Sequence, residues 1–84
     1  MVNVIVEEVS DFTRTLNKIK DNSFKSRIKK QVLKIVENPE IGKPMRYERR
    51  GTREVYVGHS RLSYAYLKEE NKIILLDIYH KDEQ

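Results

Sequence analysis

The sequence contains no cysteine. Disulfides and thiolate metal sites are therefore excluded, and a reducing cytoplasm is the expected compartment. There are two histidines, His59 and His80, and they do not share ligand spacing on one helix. No metal motif follows from them, and no metal or other cofactor is expected. Three glycines at 42, 51 and 58 match no phosphate-cradling loop. The serines show no nucleophile elbow. No apolar run approaches the ~20 residues that a membrane span needs, and no secretory h-region is evident. A membrane partner is not expected. Repeats and low-complexity tracts are absent.

What the chain has is charge. Of 84 residues, 36% are charged and 38% are apolar, with a net charge of +4. This length supports a single domain over residues 1–84. So small a domain buries only about 60–65% of its unfolded surface. One modest core and an open surface site are expected, not a deep cavity. The cations cluster. Residues 14–34 hold Arg14, Lys18, Lys20, Lys25, Arg27, Lys29, Lys30 and Lys34 against Asp21. Residues 43–61 hold Lys43, Arg46, Arg49, Arg50, Arg53 and Arg61 against Glu48 and Glu54. Such a field suits RNA, DNA, acidic protein segments or lipid headgroups. It also reads as a solvated basic surface.

The residue pattern predicts a first strand over 2–7, where β-formers dominate. Ser10 or Asp11 offers a helix cap, and Phe12, Leu16 and Ile19 recur at helical spacing. Asp21-Asn22-Ser23 breaks that run and offers a second cap. Phe24, Ile28, Val32, Ile35 and Val36 form the next stripe, which Asn38-Pro39 stops. Residues 39–51 read as a basic loop. Strands are expected over 53–57, 61–68 and 72–80, with turns at 58–60 and 69–71. The predicted fold is α+β with order β-α-α-β-β-β. A two-helix hairpin packs on one face of a largely antiparallel four-stranded sheet.

Two-residue periodicity assigns Val55, Val57, Leu62, Tyr64, Tyr66, Ile74, Leu76 and Ile78 to the core face. The opposite face then shows Glu54, Tyr56, Arg61, Ser63, Ala65, Leu75, Asp77, Tyr79 and Lys81. The strand over 72–80 is apolar on both faces and is expected in the sheet interior.

A site built from these residues would work without a metal. Cleaving RNA requires that the 2′-OH lose a proton, the phosphorane be neutralised and the leaving 5′-oxygen gain a proton. Arg61 offers a planar fork to phosphate oxygens. Histidine is the side-chain type suited to general acid or base work near neutral pH, which makes His80 a candidate for that role. Lys81, Glu54, Tyr56 and Tyr79 are candidate assistants. Lys43, Arg46, Arg49, Arg50 and Arg53 are candidate substrate-binding cations. Each has a structural alternative. Arg61 reads equally as a residue paired to Asp77 or Glu54, His80 as an exposed histidine, and the tyrosines as strand formers.

Three segments carry a resemblance: Gly42-Lys43-Pro44, the hairpin from Tyr56 to Tyr64, and the ending Asp77-Ile78-Tyr79-His80-Lys81. Together they resemble the RelE/ParE superfamily of type II toxin–antitoxin toxins over nearly the whole length. The hairpin is similar to that family's V-G-x-x-R-x-x-Y pattern. The resemblance implies a RelE-like toxin domain that cuts mRNA in the ribosomal A site without a metal. It matches Arg61 to the family's phosphate-contacting arginine. It places His80 where YoeB-like members have a catalytic histidine, and Lys81 near the C-terminal basic residue of RelE-like members. Glu54 and Tyr56 depart from the two lysines that RelE-like members carry on this strand. The ParE branch instead poisons DNA gyrase by binding it, and a non-catalytic RNA-binding module is a further alternative. A cognate, RelB-like antitoxin with an acidic and apolar segment is the implied partner, beside ribosome and mRNA.

Overall fold

A computed structural model describes residues 4–45 and 51–80. Strand β1 spans Ile5–Glu8 and is followed at once by helix α1, Ser10–Lys18. Helix α2 spans Asn22–Glu37. Strands β2 (Lys43–Pro44), β3 (Thr52–Val57), β4 (Ser60–Leu67) and β5 (Lys72–His80) complete the order. The sheet runs β1-β5-β4-β3-β2. β1 lies parallel to β5, and the remaining pairs are antiparallel. The α+β class is as expected, and β5 is interior as its two apolar faces imply.

The strand count is five rather than four. The sequence places Lys43-Pro44 in a loop, because two residues carry no periodicity. Their pairing is set by tertiary contacts: Lys43 lies opposite Glu54 and Pro44 opposite Arg53, at the sheet edge where proline is tolerated. The first strand was expected from residue 2. Its described pairing starts at Ile5, whose N–H donates to the Asn71 carbonyl, and residues 2 and 3 lie outside the described part.

Neither Ser10 nor Asp11 caps α1. The helix starts one residue earlier, with Val9 at the cap and no side-chain cap bond. Val9 N–H instead donates to Leu75 O at 3.1 Å, so the sheet fixes the point of departure. The second cap is as expected. Asp21 Oδ1 accepts from Ser23 N–H at 2.9 Å and from Phe24 N–H at 3.3 Å. Two donors of the first turn are thereby satisfied. Asp21→Ala is expected to cost about 1 kcal/mol, read as a lower denaturant midpoint with an unchanged m-value.

Both helices bury their apolar stripes on one face of the sheet. Phe12 of α1 and Ile28 and Ile35 of α2 meet Val57, Leu62, Tyr64, Ile73, Leu75 and Ile78 in a single cluster. Val55 and Tyr66 pack against its margin. Two assignments need correction. Ile74 and Leu76 are not in this core, and Ile73 and Leu75 take their places. The cause is a β-bulge. Ser63 pairs with Asp77 while Tyr64 pairs with Leu75, so Leu76 has no cross-strand partner. One extra residue reverses the parity of the strand on either side of it. Ile78 keeps its assigned face and the residues before the bulge exchange theirs.

The segment after α2 is tied down from inside the core. Tyr64 is fully buried, and its hydroxyl donates to the Pro39 carbonyl at 2.8 Å and accepts from Gly42 N–H at 2.9 Å. Arg53 extends from β3 to the same segment, donating to Glu40 O at 3.0 Å and to Gly42 O at 2.8 Å. Gly42 is required by close approach. A Cβ there would lie 2.6 Å from Tyr64 Oη and 2.8 Å from its Cε1.

Candidate active face

The β3–β4 hairpin closes through Gly58-His59, with Val57 opposite Ser60. Gly58 has φ +63°, the positive value that the first central position of a type II′ turn requires. So short a turn leaves no freedom of register. It sets Tyr56 opposite Arg61, and the β4–β5 ladder sets Arg61 opposite Tyr79. Cross-strand partners share a face. One row therefore reads Tyr56, Arg61, Tyr79 across three strands. The next row reads Lys43, Glu54, Ser63, Asp77 across four. Both rows lie on the face turned away from the helices.

Arg61 joins the rows. Its Nη1 donates to Glu54 Oε1 at 2.9 Å. The guanidinium lies 5.1 Å from the centroid of the Tyr56 ring, in cation–π range. Tyr79 reaches past β4 and donates its hydroxyl proton to Glu54 Oε2 at 2.6 Å. Both carboxylate oxygens of Glu54 are thus occupied. Glu54 is 6% exposed and Arg61 18% exposed on their side chains. The pair sits in a partly dry setting, where geometry matters more than on an open surface. Arg61 Nε is buried and makes no hydrogen bond. The guanidinium is held by Glu54 and by the Tyr56 ring.

The other expected residues fall as follows. Lys43 is exposed and shares the face of Glu54. Arg53 belongs to the opposite parity, and its guanidinium is bound to the carbonyls of Glu40 and Gly42. His80 ends β5 opposite Ser60. It lines a cavity of about 510 Å³ with Lys18, Phe24, Asp77 and Tyr79, where the sheet end meets the helices. The structure thus brings Glu54, Tyr56, Arg61 and Tyr79 together, while the register puts His80, in line with Ser60 and Val57, on the helix-side face at the end of the sheet rather than on the Arg61 face. Arg46, Arg49, Arg50 and Lys81 lie outside the described residues. His59 was not singled out from the sequence. It lines a second cavity of about 320 Å³ with Tyr56, Gly58 and Arg61. The two-residue turn, combined with the Tyr56–Arg61 register, was the available signal. Among the described residues, no group of three or more His, Cys, Asp or Glu side chains is arranged to hold a metal ion. No described helix is long and apolar enough to cross a membrane.

The family model for the ParE toxin of the type II toxin–antitoxin system parDE matches residues 6–84. The chain belongs to the ParE toxin family. Solved structures agree at the level of fold and place this toxin in the wider RelE/ParE superfamily. The RelBE2 toxin–antitoxin complex of Mycobacterium tuberculosis is similar, with 27% identity, a TM-score of 0.73, and coverage of 95% of this chain and 100% of that one. A YoeB/ParE toxin from Agrobacterium tumefaciens gives a TM-score of 0.83 at 10% identity, over 92% of this chain and 98% of that one. The intact E. coli RelBE complex gives 0.79 at 13% identity, over 92% of this toxin and 95% of that chain. At 10–13% identity these two share the fold alone. Comparison with curated protein sequences finds no match.

Proposed function

We propose that this toxin is a metal-free, ribosome-dependent mRNA endonuclease. The observation that carries the reading is the Arg61 guanidinium, held between Glu54 and Tyr56 on the sheet face turned away from the helices, with 18% of its side chain exposed. Glu54 and Tyr79 hold Arg61 in place. The fork of Arg61 binds the scissile phosphate and neutralises the pentacoordinate state as charge builds there. His80, at the end of β5 on the helix-side parity, is assigned the proton transfer, which requires its imidazole to reach around the sheet end to the Arg61 face. The 2′-hydroxyl loses its proton as its oxygen bonds to phosphorus, the bond from phosphorus to the 5′-oxygen breaks, and a proton is delivered to that leaving oxygen. The products are a 2′,3′-cyclic phosphate and a 5′-hydroxyl. Lys81 assists the chemistry and the cations at 43, 46, 49 and 50 are assigned to backbone phosphates, whereas Arg53 is committed to the carbonyls of Glu40 and Gly42.

The family match itself favours a second reading, in which the toxin binds and inhibits DNA gyrase and cuts nothing. Primer extension on mRNA after brief expression separates the two. Discrete cuts within seconds to minutes are expected. Intact mRNA together with a DNA damage response would transfer the assignment to gyrase.

An antitoxin partner, RelB-like in having an acidic and apolar segment, belongs to the same reading. The E. coli and M. tuberculosis relatives were solved as toxin–antitoxin complexes. A groove of about 430 Å³ between β1, α1 and α2 suits such a segment. It is lined by Val6, Phe12, Leu16, Ile28 and Val32, with Lys25 and Lys29 among its lining. Apolar walls and ammonium groups match an amphipathic, acidic chain. The expected setting is the cytoplasm, where mRNA and ribosomes are.

A further inference from the structure

We propose that Tyr56 and His59 form a nucleobase subsite beside Arg61, which takes one unpaired base of a single-stranded RNA by stacking on the Tyr56 ring. The proposal rests on the nuclease reading for its substrate class. It adds a recognition element that the cleavage chemistry does not need.

Tyr56 is the starting point. It is the most exposed of the large apolar or aromatic side chains among the described residues, at 58%. It stands near the end of strand β3, beside the hairpin turn, rather than in a loop. Burial does not account for its position, since Val55 and Val57 beside it face the core. One side of its ring is covered by the Arg61 guanidinium. The ring is therefore oriented and has a face left for a second flat group. Orientation in advance matters, because stacking then costs little side-chain entropy.

His59 supplies a second flat surface. The turn that carries it is two residues long, and His59 lines the same pocket as Tyr56. Tyr56, Gly58, His59 and Arg61 together line an open pocket of about 320 Å³. That lies at the small end of the range for organic ligand sites and fits one ring system. Gly58 contributes no side chain to narrow the space.

Charge completes the match. Single-stranded RNA is bound by pairing aromatic faces for bases with cations for the adjoining phosphates. Here the cation and the aromatic ring are cross-strand neighbours. A base on Tyr56 places its own or the next phosphate at Arg61. The subsite thus sets the register of the scissile phosphate, and it does so for an unpaired base only.

The test uses the full-length toxin and a short single-stranded RNA carrying 2′-O-methyl groups, which block cleavage. Tyr56→Ala is expected to weaken binding roughly 5- to 100-fold. Tyr56→Phe, which keeps the ring, restores most of the loss. His59→Ala leaves the Tyr56–Arg61 contact in place and is expected to weaken binding in the same direction. An oligonucleotide series with one abasic position at a time has one member that binds wild type poorly and is indifferent to Tyr56→Ala. Equal affinity of wild type and Tyr56→Ala for every oligonucleotide overturns the subsite, as does failure of wild type to bind at low salt. The nuclease reading is judged separately by primer extension. Cuts by wild type with no Tyr56 effect on binding reject the subsite alone. Base-dependent binding through Tyr56 without any cuts rejects the nuclease and supports the subsite.

Discussion

Arg61→Ala is expected to abolish mRNA cleavage and growth arrest, with cleavage falling at least about 100-fold. Loss of one preorganised charge-stabilising group has roughly that effect on a chemical step. The structure adds a cost that the sequence does not reveal. Removing the guanidinium leaves Glu54, 6% exposed, without its 2.9 Å partner. An unpaired buried carboxylate costs about 3 kcal/mol, so this variant is also expected to be less stable. Arg61→Lys separates the two effects. An ammonium still neutralises Glu54 but cannot present a planar fork to phosphate. That variant should keep most of the wild-type melting temperature and still lose most of its cleavage. A stable Arg61→Lys protein that cuts mRNA at the wild-type rate would remove the guanidinium from the chemistry. It would leave Arg61 as the structural partner of Glu54.

The second large effect is expected far from this face. Tyr64→Phe removes one hydroxyl and two hydrogen bonds, leaving the Gly42 N–H and the Pro39 carbonyl without their partner. The expected loss is about 2–3 kcal/mol, or roughly 10–15 °C in Tm for a domain of this size. Gly42→Ala should destabilise by a comparable amount, about 1–3 kcal/mol, because its methyl would press on the same hydroxyl. The two changes are expected to be non-additive. Without Tyr64 Oη the nearest obstacle to the new methyl is gone, so Gly42→Ala should cost less in the Tyr64→Phe background. Additive losses would show that the loop is held by something else.

The same tyrosine carries a pH signature. Burial, partly offset by the Gly42 hydrogen bond and the Arg53 charge, raises its pKa above the ordinary 10.0. The native state therefore holds the proton where the unfolded chain releases it. The stabilisation is fully present below pH 10.0 and is lost as pH rises through the higher folded value. Alkaline unfolding of the wild type should be steeper than that of Tyr64→Phe, which has no phenol at this position to titrate.

Both sites show where residue patterning stops. The hairpin was legible. Gly58 marks the turn, but the expected turn over 58–60 is one residue too long: Ser60 already pairs with Val57, and this sets Tyr56 opposite Arg61. The salt bridge from Arg61 to Glu54 was open, since the sequence offered Asp77 equally. The register decides in favour of Glu54 by geometry, and Asp77 Oδ1 accepts from Ile78 N–H instead. Arg53 counted as one more cation of the basic loop. Its strand parity turns it away from the Arg61 face and onto the carbonyls of Glu40 and Gly42.

The sequence by itself determined the α+β order, the second helix cap, the position of the hairpin and the membership of most of the core. Each follows from interactions within a few residues: caps, turns and periodic burial. Only the tertiary structure decided the bulge at Leu76, the fifth strand at Lys43-Pro44, the Tyr64 anchor and the grip of Tyr79 on Glu54. Those depend on which residues meet across strands, and one extra residue in a ladder exchanges every face on one side of it. Local propensity carries no record of such a slip, because both registers bury apolar side chains in a strand that is apolar on both faces.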